Sequence, residues 1–160
     1  MGGLNFLEKI DIFKGFSQDQ LKAASEGGQE KQYGYEEKLF AEGEDADRIW
    51  LVAEGQVHLR FDLPGRPTSE QNTVFSISAG QTLGWSSFVP PFKYALSAYS
   101  AVKACNVLQI KKDHLLECFD KDPRMGLMFM THVATIASLH FNQLQESATV
   151  SPVSKVKITV

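Results

Sequence analysis

Hydrophobic positions change their period twice along this chain. Near the start, Phe6, Leu7, Ile10 and Phe13 recur at helical spacing. The run Ser17-Gln18-Asp19-Gln20 predicts a helix start: the Ser17 hydroxyl can accept from the Gln20 amide while the Gln20 side chain reaches back. Phe16 and Leu21 flank that capping box as a hydrophobic staple, and Gly27-Gly28 predicts the stop. From Gln29 to Ile110 the period is two. Ile49, Leu51, Val57, Leu59, Phe61 and Leu63 are all odd-numbered, with Glu54, Gln56, His58, Arg60 and Asp62 between or beside them. That alternation predicts one buried face of an antiparallel sheet. Turn signals at Gly34, Gly43, Glu54-Gly55, Pro64-Gly65 and Gly80 keep the strands short, as in a sandwich or jelly roll. Leu63–Asn72 is polar, holds Pro64, Gly65 and Pro67, and predicts a mobile hairpin loop.

Helical spacing returns after Ile110. Asp113–Phe119 predicts a short helix, and Asp122-Pro123 starts a second, with Asp as N-cap and Pro in the first turn. Leu127, Met130, Val133/Ala134, Ala137, Phe141 and Leu144 then form a stripe over about five turns. The stripe is wide enough to cover the sheet and still offer a face to another subunit. The expected architecture is mainly β with flanking helices: a double-stranded β-helix, or jelly roll, closed by a long C-terminal helix. Its parts are a helical segment 1–28, a β-roll 29–110 and C-terminal helices 111–146. The segment 147–160, with Pro152, Lys155 and Lys157, has no partner element and is expected to be a flexible tail.

Composition narrows the function classes. With 160 residues, 43% hydrophobic and 22% charged, the chain suits one globular domain and not a disordered one. No apolar run approaches the roughly 20 residues of a spanning helix. The first residues show neither a secretory pattern nor Ser/Thr at position 6 for myristoylation, so a cytoplasmic protein is expected. Cys105 and Cys118 are then reduced thiols that act as small hydrophobes. A formal charge of −3 and a pI near 5.8 exclude a general nucleic-acid binder.

Catalytic motifs are missing. A jelly roll suggests a cupin-type metal enzyme, but the strand region holds one histidine, His58, facing away from the odd-numbered set. His114, His132 and His140 fall on helices, and His114 with Cys118 makes only a lone i, i+4 pair. No phosphate-loop, Gly-x-Ser-x-Gly or Cys-x-x-Cys sequence occurs. The acidic residues Glu36, Glu37, Glu42, Glu44, Asp45 and Asp47 lack the spacing of a calcium loop and read as a solvated face.

Particular residues in this order resemble the cyclic nucleotide-binding domain of the catabolite activator protein and kinase regulatory-subunit superfamily, over roughly Phe6–Gln145. They are Phe13-Lys14-Gly15-Phe16-Ser17, Leu39-Phe40-Ala41-Glu42-Gly43-Glu44, Ile49–Val57, Gly80-Gln81-Thr82-Leu83-Gly84 and Val107-Leu108-Gln109-Ile110. The resemblance implies a non-enzymatic sensor or regulator with its phosphate-binding cassette at Gly84–Leu96. In cyclic nucleotide binders of that family, a Glu after the glycine holds the ribose and an Arg ten residues on pairs with the phosphate. Here those positions are Trp85 and Ala95, followed by Leu96. Losing both anchors costs about 4 kcal/mol, roughly a thousandfold in affinity, so cyclic AMP or cyclic GMP is possible but disfavoured. The run Gly84-Trp85-Ser86-Ser87-Phe88-Val89-Pro90-Pro91-Phe92 resembles a variant branch with Gly-Trp-Ser and Pro-Pro here.

Two groups offer partial rescue of anion binding: the helix start with Ser86 and Ser87, and Lys93 or Tyr94 beside Ala95. Without charge, Trp85, Phe88, Phe92, Tyr94 and Leu96 would make an apolar, aromatic pocket for a flat or apolar ligand. The alternative is a ligand-free dimeric scaffold with the pocket plugged by Trp85 and Phe88. The resemblance also puts Ile136 and His140 over the pocket and a homodimer seam on the long helix. About 15 residues follow Gln145, so no helix-turn-helix is expected, nor direct DNA binding, and output would pass to a separate effector protein.

Overall fold

The computed structural model describes the backbone of residues 3–150 and the side chains of residues 5–147. Helices α1 (Gly3–Leu7) and α2 (Gln18–Ser25) lead into eight strands, and α3 (Lys112–Lys121) and α4 (Pro123–Val150) follow them. The strands are β1 (Gln29–Tyr33), β2 (Lys38–Phe40), β3 (Arg48–Glu54), β4 (Gln56–Arg60), β5 (Thr73–Ser78), β6 (Thr82–Leu83), β7 (Ser97–Ser100) and β8 (Cys105–Lys111). They form two four-stranded antiparallel sheets, ordered β1-β8-β3-β6 and β2-β7-β4-β5.

The N-terminal stretch is not one continuous helix. After α1 the chain turns, and Asp11–Phe13 form a separate 3₁₀ turn. Tertiary bonds explain the break: the Asp11 amide donates to the Gly80 carbonyl at 3.0 Å, and the Thr82 hydroxyl donates to the Asp11 carboxylate at 2.6 Å. The Ser17–Gln20 capping box is present in both directions. Gly27 and Gly28 follow α2, but not as left-handed caps. A Cβ on Gly27 would lie 2.8 Å from the His114 ring, and one on Gly28 would lie 2.8 Å from Leu108 Cδ1. These glycines let α2 pass close to α3 and β8.

The odd-numbered apolar residues do not share one face. Ile49 and Leu51 pack beneath the helices with Phe13, Leu115 and Phe129. Val57 and Leu59 instead face the interior of the roll, where Trp50 and Val52 of β3 also lie. A register shift between Val52 and Glu54, with Gly55 at φ 95, turns the chain from one sheet to the other and exchanges the faces. β3 is therefore buried on both sides. Phe61 and Leu63, expected inside, are 50% and 43% exposed. Arg60, expected outside, is fully buried and makes two 2.7 Å bonds to the Glu36 carboxylate.

α4 is amphipathic in a different sense from the expected one. Its covered residues are Met125, Phe129, Val133 and Ile136, which pack against α3 and the N-terminal turns. The stripe read from the sequence is only partly covered: Val133 is buried, whereas Leu127, Met130, Phe141 and Leu144 are exposed at 70%, 41%, 48% and 46%. The Met125 amide donates to Asp122, as an N-cap requires. The expected tail overlaps this helix at Ser147–Val150, and the remainder of it lies outside the described residues. Among the described residues, no helix is long and apolar enough to cross a membrane.

Candidate ligand-binding site

A cavity of about 390 Å³ opens between the interior of the roll and α4. Its floor is built by aromatic packing. Phe40 and Tyr94 stack with centroids 3.8 Å apart, and the buried Trp50 indole N–H donates to the Tyr94 hydroxyl at 3.2 Å. Gly84 holds the turn above this floor at φ 83, where a Cβ would lie 2.8 Å from Trp50 Cδ1 and 3.0 Å from the Arg48 carbonyl. A side chain here would push the following turn, Trp85–Phe88, off the roll.

The walls come from separate parts of the fold. Leu59, Phe61, Val74 and Phe75 line one side, and Leu83, Trp85, Ser86, Ala95 and Leu96 the other. Ala137, His140, Phe141 and Leu144 of α4 form the roof. The His140 imidazole stacks on Phe75 at 4.4 Å and tilts against Trp85 at 6.2 Å. Burial pushes the His140 pKa down, and the Asp11 carboxylate partly opposes this. Among the described lining residues none is Asp, Glu, Lys or Arg.

The residues singled out from the sequence therefore divide. Gly84, Trp85, Ser86, Tyr94, Ala95, Leu96 and His140 line the cavity together. Ser87 does not: it is fully buried and its hydroxyl donates to the Gly84 carbonyl at 2.9 Å, which locks the turn. Phe88 turns into the helical core, 4.7 Å from Phe129. Ile136 lies in the same core, one residue before the roof position Ala137. Lys93 is exposed and pairs with Asp45 at 2.7 Å. Phe92 lies outside under the Lys112 ammonium, 3.8 Å from its ring centre.

Sequence reasoning missed Phe40, Phe61, Phe75, Phe141 and Leu144 as lining. Alternation places Phe61 on a buried sheet face, and helical spacing places Phe141 on the apolar stripe of the long helix. Their usable signal was surplus: the apolar positions on α4 exceed what one covered face needs.

Elsewhere, a smaller cleft lies between α2 and α3. There the His114 ring N–H donates to the Ala23 carbonyl at 2.8 Å, and the Cys118 thiol points at the same oxygen from 3.6 Å. Burial pushes the Cys118 pKa up, so the sulfur stays protonated and weakly nucleophilic. Among the described residues, no group of three or more His, Cys, Asp or Glu could hold a metal ion.

A family model described as "Cyclic nucleotide-binding domain" matches residues 30–122. Among solved structures, the chain is similar to a candidate cyclic nucleotide-binding protein from Geobacter metallireducens. Identity is 26% and the TM-score 0.73, over 88% of this chain and 99% of that one. A cyclic nucleotide-binding domain from Methylobacillus flagellatus gives 18% identity and a TM-score of 0.77, over 98% of this chain and 84% of that one. The catabolite activator protein of Thermus thermophilus gives 18% and 0.67, over 86% of this chain and 61% of that one. No curated protein matches the chain.

Proposed function

The chain belongs to the cyclic nucleotide-binding domain family, and from that premise we propose a non-catalytic regulatory module whose pocket has lost its preference for cyclic nucleotides. One observation carries the reading. At the positions that face the half-open cavity, neither Trp85 nor Ala95 can hold a ribose hydroxyl or a phosphate as the family's Glu and Arg do. A cyclic phosphate seated against Trp85 and Ala95 would give up part of its hydration and gain no charged partner from the lining. Lys93 offers no substitute from its place on Asp45, outside the lining.

The module acts in the cytoplasm as a homodimer through α4 and passes its signal to a separate effector protein. The exposed apolar stripe of α4 supports the dimer, since Leu127 is 70% exposed and Phe141 48%. An occupant of the cavity touches the roof residues Ala137, His140, Phe141 and Leu144, so its arrival would shift the helix that forms the seam.

A ligand-free scaffold has less support. Phe88 packs into the helical core, and about 390 Å³ stays open beside Trp85.

Isothermal titration calorimetry with cyclic AMP and cyclic GMP tests the reading. The expected result is no dissociation constant below about 10 µM. Tight binding of either nucleotide would overturn it.

A further inference from the structure

We propose that the cavity is a binding site for an uncharged, ring-bearing aromatic molecule of two or three fused or linked rings. The inference rests on the reading that the pocket has lost its cyclic nucleotide preference, and it names what replaces that ligand.

Charge comes first. With no Asp, Glu, Lys or Arg among the described lining residues, an ionised group inside the cavity would lose hydration and meet no counter-charge. The polar side chains that reach the lining are Ser86, His140 and Tyr94, and the Tyr94 hydroxyl is engaged by Trp50. One or two hydrogen bonds to a neutral hydroxyl, amine or carbonyl are what the site can satisfy.

Shape comes second. Rings supply seven of the lining residues, Phe40, Phe61, Phe75, Trp85, Tyr94, His140 and Phe141, and Leu and Val side chains fill the gaps between them. The Phe40–Tyr94 pair closes the floor, and the Phe75–His140 pair joins wall to roof. Trp85 meets the same His140 ring, 6.2 Å away and tilted by 49°. Stacked and edge-on contacts to such surfaces favour rings over flexible chains, which lose rotamer freedom on entry. A cavity of about 390 Å³ has room for a compact molecule of two or three rings.

The test uses the full chain and the neutral fluorophore N-phenyl-1-naphthylamine, with 1-decanol as an aliphatic competitor and cyclic AMP as a charged one. The expected result is saturable one-to-one binding in the micromolar range, with no more than weak displacement by decanol and none by cyclic AMP. Val74→Trp and Leu96→Trp, which fill the cavity from opposite walls, should each weaken the dye at least tenfold. Their folding is checked by circular dichroism and thermal unfolding. Absent dye binding, equal displacement by decanol, or unchanged affinity in both folded variants would overturn the ligand class. None of those results bears on the cassette reading, which falls only if cyclic AMP or cyclic GMP itself binds tightly.

Discussion

The His140 imidazole lies nearly parallel to the Phe75 ring, 4.4 Å away and inclined by 18°. One residue is on α4 and the other on β5, so this stack fastens the roof of the cavity to its wall. Both partners also line the space an occupant would fill. The contact is thus a structural tie and a ligand surface together.

Burial holds the folded-state pKa of His140 below its ordinary value of 6.5, and His58 is shifted in the same direction by burial and by Arg60. Below about 6.5 the unfolded chain binds more protons at these sites, so stability is full above that pH and is lost as pH falls through the depressed folded values. The melting temperature should therefore be lower at pH 5.5 than at pH 7.5. His140→Phe keeps a ring on Phe75 but cannot titrate, and the pH dependence should flatten in part, with His58 supplying the rest. An unchanged slope would show that His140 is not the buried group at work.

Arg60 is fully buried, while its partner Glu36 keeps about a third of its side chain exposed. Glu36→Gln leaves the guanidinium charge buried against Tyr99 and His58 without its counter-ion. A loss of about 2–3 kcal/mol in urea unfolding is expected, somewhat below that of a fully buried pair because Glu36 is partly solvated. Arg60→Met removes the charge itself and should cost less than Glu36→Gln.

The double variant Trp85→Glu, Ala95→Arg restores both charged anchors on walls that already face the cavity. It should gain cyclic AMP affinity by at least tenfold over the parent in calorimetry, and lose affinity for neutral aromatic probes. Either single variant should gain less than the pair, because each leaves one charge without its ligand contact.

Gly84→Ala combines a left-handed backbone with a Cβ 2.8 Å from the Trp50 ring. The expected destabilisation is about 2–3 kcal/mol, read as a lower urea midpoint at unchanged slope. Gly43, also at φ 86 but with nothing within 4 Å of a Cβ, carries only the backbone penalty, so Gly43→Ala should cost roughly half as much.

Sedimentation of the parent should show a dimer at micromolar concentration. Leu127→Glu with Leu144→Glu places two charges on the exposed stripe of α4 and should yield monomer without loss of helical content. A parent that sediments as a monomer would remove the seam.

The sequence made the architecture legible because its signals were local. The Ser17–Gln20 capping box, the Asp122 cap and the glycine-punctuated alternation each depend on residues a few positions apart. What failed was non-local. Nothing local in Arg60 announces that the turn at Glu36 will bury it. The odd-numbered set switches layers at a bulge between Val52 and Glu54, and alternation cannot reveal that. At the site, the residues next to Gly84 are legible in kind, but Ile136 lies on the covered face of α4, and Ser87 and Phe88 point away from the cavity within their turn. A 3₁₀ turn redirects side chains every residue, so neighbours in sequence diverge in space.

The floor and wall described above also make the protein its own instrument. The chain has two tryptophans. Trp85 lines the cavity, and Trp50 is hydrogen-bonded to Tyr94 directly beneath it. Every indole in the molecule thus reports on the same small volume. An occupant seated against Trp85 changes the surroundings of that indole, so binding can be followed by the intrinsic emission of the unlabelled protein once the compound's own absorbance is subtracted.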